Sequence, residues 1–253
     1  MSAIVRVEKR GAVEIAKRLR QTVGQIFRYG IVTGRANRDP SVDLKGALKA
    51  SGRQAHHKAM PREDLPEFLR ALSAYDGAAR TRLALRLAVL TFVRTTELRA
   101  ARWDEIDLEA GEWRIPAERM KMRAPHIVPL SRPAVETFAE LRSIAGLSDY
   151  AFPSSGFMSN NTMLFAMYRM GFHGRATVHG FRAVASTLLN EIGFHPDWIE
   201  RQLAHDERNK VRAAYNHAQY LPERRRMMQQ WADYLDDLAE DGKVIVHHFG
   251  RTA

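Results

Sequence analysis

The sequence contains no cysteine, which excludes a disulfide framework and thiolate zinc sites. It also lacks an apolar run of transmembrane length, and its N-terminus lacks the apolar centre of a signal peptide. The 253 residues are 45% hydrophobic, which is enough to build a core. We therefore expect a cytoplasmic protein with one large domain or two modest ones.

Acidic residues are scarce in the first quarter of the chain. Residues 1–58 contain 13 Lys and Arg but only 4 Asp and Glu, a balance of +9, whereas the other 195 residues contain 26 and 25, a balance of +1. A concentrated basic face is typical of binding to a phosphate backbone. The alternative is a solvated helix that binds nothing in particular. The candidate DNA-binding side chains are Lys17, Arg18, Arg20 and Arg28.

The hydrophobic pattern predicts a mainly α protein with one small antiparallel β-sheet, an α+β chain. Ile15, Leu19, Val23, Ile26 and Gly30 predict an apolar stripe on a first helix. Helices are predicted over 12–33, 78–93, 132–145, 160–170, 178–192 and 221–240, with others starting at Pro66 and Pro196, a short one within 41–50, and N-caps at Ser131 and Ser159. Strand-like segments lie within 103–130, and residues 51–61 predict a linker.

The C-terminal half contains His179, Arg182, His205 and Tyr215 in the segments T-V-H-G-F-R, L-A-H and V-R-A-A-Y-N. His179 and Arg182 are three apart, so a helix would place both on one face. Together these residues offer a nucleophile and several hydrogen-bond donors, without a carboxylate cluster for a metal. Such a set suits attack on a phosphodiester, where fixed positive groups stabilise the developing negative charge.

Two upstream segments add to this set. Arg94 and Glu97 are three apart in T-F-V-R-T-T-E-L, so the carboxylate can orient the guanidinium. Residues 119–130 predict a hairpin arm that ends in a short strand, with Lys121 near its tip. Arg119 and Arg123 flank Lys121, and the register of the hairpin leaves the choice among the three cations open.

In this order and spacing, Arg94, Lys121, His179, Arg182, His205 and Tyr215 resemble the motifs of tyrosine recombinases (phage integrases), especially those of satellite prophages and genomic islands. The resemblance covers nearly the whole chain. It implies a catalytic domain over 58–253, preceded over 1–57 by the C-terminal part of a helical core-type DNA-binding domain and a linker. It also implies double-stranded DNA as the partner, a bacterial nucleoid location, and a monomer that forms tetramers on paired sites.

The resemblance also implies a role for each residue. Tyr215 would be the nucleophile that forms a 3′-phosphotyrosine, with Arg94 and Arg182 on the non-bridging oxygens and His205 donating a further hydrogen bond. His179 would accept or orient the phenolic proton, and Lys121 would protonate the departing 5′ oxygen. Glu97 would align Arg94 or a histidine from behind. No cofactor or metal is expected, because the phosphotyrosine keeps the energy of the phosphoester.

Each role has a structural alternative. Tyr215 could pack, His179 could cap its helix, and Arg94 could neutralise the end of the helix over 78–93. Phe92 and Ala204 stand where many relatives carry glycine, and we expect both changes to be tolerated. His126 is expected to be structural or to face DNA.

Other features are given no chemical role. His56, His57, His195, His217, His247 and His248 show no metal-ligand spacing, and Met120, Met122, Met163, Met167 and Met170 are predicted core or filler residues. The stripe on the last helix, formed by Met227, Trp231, Tyr234, Leu235 and Leu238, either packs within the chain or docks on a neighbour. Two other functions stay open: a non-recombining DNA-binding remnant and a type IB topoisomerase-like enzyme.

Overall fold

The computed structural model describes residues 2–49, 60–205 and 219–241. The chain divides into two compact units, Met1–His56 and His57–Ala253. The predicted linker lies mostly outside the described residues. The described part confirms a mainly helical protein with a small antiparallel sheet. None of its helices combines the length and apolarity needed to cross a membrane.

The first unit consists of helices α1 (Ser2–Lys9) and α2 (Val13–Val32) and a 3₁₀ turn over Val42–Leu44. The sequence pattern missed α1, which packs on α2. Within the predicted apolar stripe of α2, Ile15 and Ile26 are 61% and 62% exposed. The buried residues of α2 are Ala16 and Gly24. A Cβ at Gly24 would lie 2.7 Å from Ser41 Oγ, so a close approach of the following loop selects the small residue.

The second unit is built around α4 (Ala79–Thr91), whose helical neighbours include α3 (Leu65–Ser73), α6 (Arg132–Ala145), α7 (Asn160–Arg169) and α8 (Gly180–Ile192). Its apolar residues recur on nearly every side, and Leu83, Leu85 and Leu87 are fully buried. A helix that is apolar all round belongs inside a core. The short helix α5 (Thr95–Arg99) also contacts α4, and α9 (Pro196–Gln202) contacts α8.

Three strands form the antiparallel sheet: β1 (Ile106–Asp107), β2 (Glu112–Ile115) and β3 (His126–Pro129), in the order β1-β2-β3. Trp113 lies opposite Ile106 and Val128 and is fully buried. A second, two-stranded pairing joins β4 (Pro153–Ser154) to β5 (Gly156–Phe157). The prediction of one sheet missed this hairpin, because two-residue strands leave no alternation to detect.

The last helix, α10 (Leu221–Asp241), packs its apolar stripe within the chain. Met227, Trp231 and Leu235 are buried, and Trp231 Nε1 donates to the Val89 carbonyl of α4 at 3.0 Å. Among the two alternatives for this stripe, packing at home is the one observed.

Two predicted serine caps are wrong in their chemistry, although the helices begin where expected. Ser131 and Ser159 occupy the N-cap positions of α6 and α7, but neither side chain makes a capping hydrogen bond. The Ser131 hydroxyl is buried without a hydrogen-bond partner in the described structure, and Ser159 Oγ bonds to Thr162 Oγ1 instead. Pro133 near the start of α6 and Gly146 at φ +72° after it define that helix.

Candidate active site

Arg94 occupies the N-cap position of α5, and the helix before it ends at Thr91, which corrects the predicted helix over 78–93. The helix α4 ends at Thr91, and Phe92 has the left-handed φ of +38°. The break turns the chain so that Arg94 Nη1 donates to Glu97 Oε1 at 2.8 Å, while the Arg94 backbone N–H donates to Glu97 Oε2 at 2.9 Å. Glu97 is 2% exposed. Both carboxylate oxygens of this buried side chain therefore fix Arg94.

Arg182 lies in the first turn of α8, and its guanidinium is buried. Nη1 donates to the Phe92 carbonyl at 2.8 Å and Nη2 to the Leu203 carbonyl at 2.7 Å. Burial, followed by the charge of Arg94, lowers the pKa of Arg182 to about 10. The group therefore stays cationic at neutral pH, in surroundings that strengthen its electrostatic interactions.

Both arginines donate hydrogen bonds to backbone carbonyls of residues 203–205, the segment that follows α9. Leu203 gives its carbonyl to Arg182, and Ala204, with a left-handed φ of +47°, gives its carbonyl to Arg94 Nη2 at 2.9 Å. Because the backbones of Phe92 and Ala204 are both left-handed, their positions suit glycine. Two guanidinium groups that are 88 positions apart in sequence thus lie against one short stretch of backbone.

His205 bonds to groups on both of its ring nitrogens. Nε2 lies 3.2 Å from Arg182 Nη2, and Nδ1 lies 2.8 Å from Glu200 Oε2. Since a guanidinium only donates, Nε2 is the acceptor and Nδ1–H donates to Glu200 in the neutral ring. The predicted donation from His205 to a phosphate therefore requires either a protonated ring or a donor other than Nε2 in this arrangement.

His179 precedes helix α8 instead of lying in it, since α8 begins at Gly180. It occupies the N-cap position, its side chain is exposed, and it makes no capping hydrogen bond. Its backbone already has helical angles, φ −65° and ψ −28°, so the shared face with Arg182 stays a prediction. The alternative that the His179 side chain caps the helix is not what the structure shows.

Lys121 lies in the loop between β2 and β3 and is exposed, as the hairpin prediction expected. Its neighbour Arg119 is held at the base of this loop, with Nη1 paired to Glu105 and Nη2 donating to the Glu97 carbonyl at 2.6 Å. Arg123 is exposed and has a left-handed φ of +51°. The contacts of Arg119 favour Lys121 or Arg123 as the cation of the loop that is available to a substrate.

Tyr215 lies outside the described residues, as do His56, His57, His217, His247 and His248. Three of the other tyrosines, Tyr168, Tyr220 and Tyr234, lie nearest to Tyr215 in the C-terminal part of the sequence. Tyr234 is buried and stacks on Trp231, and the Tyr168 ring lies 4.2 Å from that of His173. Tyr220 Oη donates to Asp197 Oδ2 at 3.5 Å.

The other histidines with described positions have structural roles. His126 is buried in β3, and its Nε2 lies 3.2 Å from the Gln202 carbonyl. Burial, followed by the charge of Arg224, lowers the pKa of His126 to about 3, so the ring is neutral at physiological pH. His195 Nδ1 accepts from the Asp197 backbone N–H at 3.2 Å and caps α9, a role that the sequence did not reveal. The structural interpretation of His126 is confirmed.

The sequence also missed Gln202 and Arg224, which are both fully buried beneath residues 203–205. A signal for Arg224 does exist: it lies three and seven positions before Met227 and Trp231, in phase with the apolar stripe of α10. A charged residue on a buried helical stripe is unusual unless it is paired.

The four candidate DNA-binding residues lie on α2 of the first unit. Arg18 pairs with Glu14 at 3.3 Å, and Arg28 lies 3.5 Å from Asp39. Arg20 and Arg28 line a polar cleft of about 470 Å³. The spacing of Lys17, Arg20 and Arg28 places these three on one helical face, with Arg18 beside it.

Two family models match the chain, and together they account for most of it. The model "Phage integrase family" matches residues 58–221, and "Phage integrase central domain" matches residues 1–47. The chain therefore belongs to the phage integrase family.

Among curated relatives, the integrase of Enterobacteria phage P4 is 44% identical over 93% of this chain and 58% of its own length. Prophage integrase IntZ of Escherichia coli (strain K12) is 42% identical over 96% of this chain and 61% of its own length. The chain thus spans about three fifths of the length of these relatives.

Solved structures show the same fold at low sequence identity. A lambda integrase dimer bound to a COC′ core site superposes with a TM-score of 0.61 at 19% identity, covering 85% of this chain and 62% of that one. The Tn1549 transposon integrase, in complex with a circular intermediate DNA, gives a TM-score of 0.56 at 14% identity, covering 90% and 82%.

Proposed function

We propose that this protein is a site-specific DNA recombinase, which cleaves and rejoins DNA through a 3′-phosphotyrosine and so integrates or excises a mobile element. The observation that carries this proposal is the set of contacts at residues 203–205. Arg94 donates to the Ala204 carbonyl, and Arg182 donates to the Leu203 carbonyl and to His205. Two fixed guanidinium groups side by side suit the two non-bridging oxygens of one phosphodiester. Family membership supports the same activity.

The two arginines contribute by being fixed before the substrate arrives. Glu97 and the Ala204 carbonyl hold Arg94, and the carbonyls of Phe92 and Leu203 hold Arg182. Charges already oriented toward the position of the transition state need no reorganisation during the reaction. Burial of Arg182 limits screening by water, so its attraction for a pentavalent phosphate is stronger than at the surface.

The proposed reaction is a transesterification. The Tyr215 oxygen bonds to phosphorus while the bond from phosphorus to the 5′ oxygen breaks. The phenolic proton passes to His179 or is oriented by it, and Lys121 gives a proton to the departing 5′ oxygen. The reverse attack by a 5′ hydroxyl releases the tyrosine. One phosphoester replaces another at each step, so the proposal requires neither ATP nor a metal.

We propose that the partner is double-stranded DNA, with residues 1–57 binding the core site through Lys17, Arg18, Arg20 and Arg28 and residues 58–253 performing the chemistry. Lambda integrase has been solved as a dimer on a core site and as a tetramer on a Holliday junction. That tetramer supports the proposal that this protein forms a tetramer on paired sites, and we expect a monomer in solution without DNA. We propose that the protein acts in the bacterial cytoplasm, on the nucleoid, because its proposed substrate is DNA.

The relatives do not favour the two alternative functions, a DNA-binding remnant and a type IB topoisomerase-like enzyme. A remnant would bind core DNA without forming a covalent adduct. A topoisomerase-like enzyme would relax supercoiled plasmid without a defined site.

Covalent trapping tests the proposal. The protein is incubated with a nicked duplex that carries the core site, and the covalent complex is then digested. Mass spectrometry locates the peptide that bears the nucleotide. We expect attachment at Tyr215 and loss of the adduct in Tyr215→Phe, because phenylalanine lacks the phenolic oxygen that acts as the nucleophile. Tyr220→Phe, five positions away, is the matched control and should still form the adduct. Attachment to a different tyrosine, or an adduct in Tyr215→Phe, would overturn the assignment.

A further inference from the structure

Arg224, in the first turn of α10, is a buried cation whose described hydrogen-bond acceptors are neutral. Its Nη2 donates to Gln202 Oε1 and to the Ile127 carbonyl, both at 2.6 Å, and its Nε donates to Gln202 Oε1 at 3.2 Å. Its Nη1 donates to the Gln219 carbonyl at 3.2 Å. Burial lowers the pKa of Arg224 to about 9, so it remains charged at neutral pH. Burying such a charge is costly, and an apolar residue would fit the stripe more cheaply.

Gln202 connects Arg224 to two other elements. Its Nε2 donates to the Thr91 carbonyl at the end of α4 at 3.3 Å, and its own carbonyl accepts from His126 Nε2 at 3.2 Å. Gln202 is fully buried. Gln202 thus contacts α4 and α10 through its side-chain amide and β3 through its backbone carbonyl.

The next residues after Gln202 hold the site. The carbonyls of Leu203 and Ala204 accept from Arg182 and Arg94, and His205 follows. The break at Phe92, whose carbonyl also accepts from Arg182, comes directly after Thr91. Gln202 therefore contacts the residue before Phe92 and itself directly precedes Leu203. It lies next to both segments whose carbonyls fix the arginines.

We propose that Arg224 and Gln202 are positioning residues, which set residues 203–205 relative to α4, β3 and α10 and so fix the spacing of Arg94 and Arg182. This inference rests on the proposed function only for its consequence on DNA cleavage. Arg224 also fixes the backbone at Gln219, where the described chain resumes after residues 206–218. The pair thus sets the position of the arginines relative to the start of the last helix.

A double-mutant comparison separates positioning from simple stabilisation. Gln202→Leu leaves the Arg224 charge buried without its amide partner and should lower the melting temperature strongly. Arg224→Met in the same chain removes that charge, so Gln202→Leu/Arg224→Met should recover much of the lost stability. Its rate of adduct formation at saturating DNA should nevertheless stay about 10- to 100-fold below wild type, because small displacements of preorganised groups are expensive in rate. Recovery of both stability and rate in the double variant would overturn the proposal.

Single substitutions supply the controls. Arg224→Met should lose rate while its Kd for core-site DNA stays within about threefold of wild type, and Arg224→Lys should fall between the two, since one ammonium reaches fewer of the acceptors. Arg226→Met is the matched control, because Arg226 lies two positions on in the same helix and is 73% exposed. An unchanged rate per folded molecule in Arg224→Met refutes the proposal. Should that variant not fold, the same criterion applies to Arg224→Lys.

A readout without DNA distinguishes failure of this inference from failure of the proposed function. The ring signal of His205, assigned by its loss in His205→Gln, reports the geometry of residues 203–205 by nuclear magnetic resonance. We expect it to shift in Arg224→Met and in the double variant but not in Arg226→Met. If wild type forms no adduct, the proposed function is wrong, and this signal decides the inference by itself. An unshifted His205 signal in Arg224→Met would refute it.

Discussion

Glu97→Gln tests how strongly the buried carboxylate holds the arginine site. Glu97 accepts from the Arg94 side chain and from the Arg94 backbone N–H, one bond on each oxygen. Glutamine keeps the volume but has only one acceptor oxygen, so its NH₂ group must face one of the two Arg94 donors. The substitution also removes the negative charge that faces Arg94. Arg94 lies close enough to Arg182 to lower the pKa of Arg182.

The expected loss of stability follows from these contacts. A hydrogen bond to a charged group contributes about 1.5–3 kcal/mol, and breaking a buried pair costs about 3–5 kcal/mol. Because glutamine keeps one of the two bonds and Arg94 is partly exposed, we expect a loss of about 2–4 kcal/mol in the free energy of unfolding. For a chain of this size, that lowers Tm by about 4–16 °C. Cleavage should fall about 10- to 100-fold, because Arg94 is no longer held in one orientation.

Urea unfolding at pH 7.5 measures the first effect, and adduct formation at saturating DNA measures the second. Glu136→Gln, on the outer part of α6, is the matched control and should shift neither. Sulfate should raise Tm more in Glu97→Gln than in wild type, because an anion offsets the two arginine charges that Glu97 no longer balances. A stability within about 0.5 kcal/mol of wild type would refute the view that Glu97 fixes Arg94.

Three further outcomes are expected. The pKa of His126 is about 3 when folded and 6.5 when unfolded, so between these values the unfolded state binds an extra proton and stability is lost as pH falls. In urea unfolding, wild type should lose about 2 kcal/mol more than His126→Gln between pH 7.5 and 5. Equal losses in the two proteins would contradict the burial argument. Changing the four basic residues of α2 to glutamine should weaken DNA binding and reduce the slope of log Kd against log salt by up to about 3.6, whereas an unchanged slope would show that this face does not contact phosphates. A 5′-bridging phosphorothiolate substrate should restore cleavage in Lys121→Ala, because sulfur leaves without protonation. Restoration in Arg123→Ala instead would reassign the general acid. Arg119→Ala, which loosens the base of the loop, should not be rescued.

Much of the helical framework follows from local sequence. The helix α6 has the predicted bounds, 132–145, because Pro133 presets its first turn and Gly146 adopts a positive φ after it. The stripe of α10 and the all-round apolar α4 are likewise local patterns. Which residues of α2 are buried did not follow from its apolar stripe, because the loop containing Ser41 approaches the helix at Gly24.

The sequence by itself determined the chemical inventory: which cations and histidines are present, their order, and their neighbours three positions apart, such as Arg94 and Glu97. Those contacts are local, since helical spacing alone brings i and i+3 together. Only the tertiary structure decided that Arg94 and Arg182 share the backbone of residues 203–205, that the Nε2 atom of His205 accepts from Arg182, and that Gln202 and Arg224 lie buried behind them. All of these contacts join residues far apart in the chain. Those of Arg94 and Arg182 with Ala204 and Leu203 use backbone carbonyls, which every residue type has, so no side-chain pattern in the sequence encodes them.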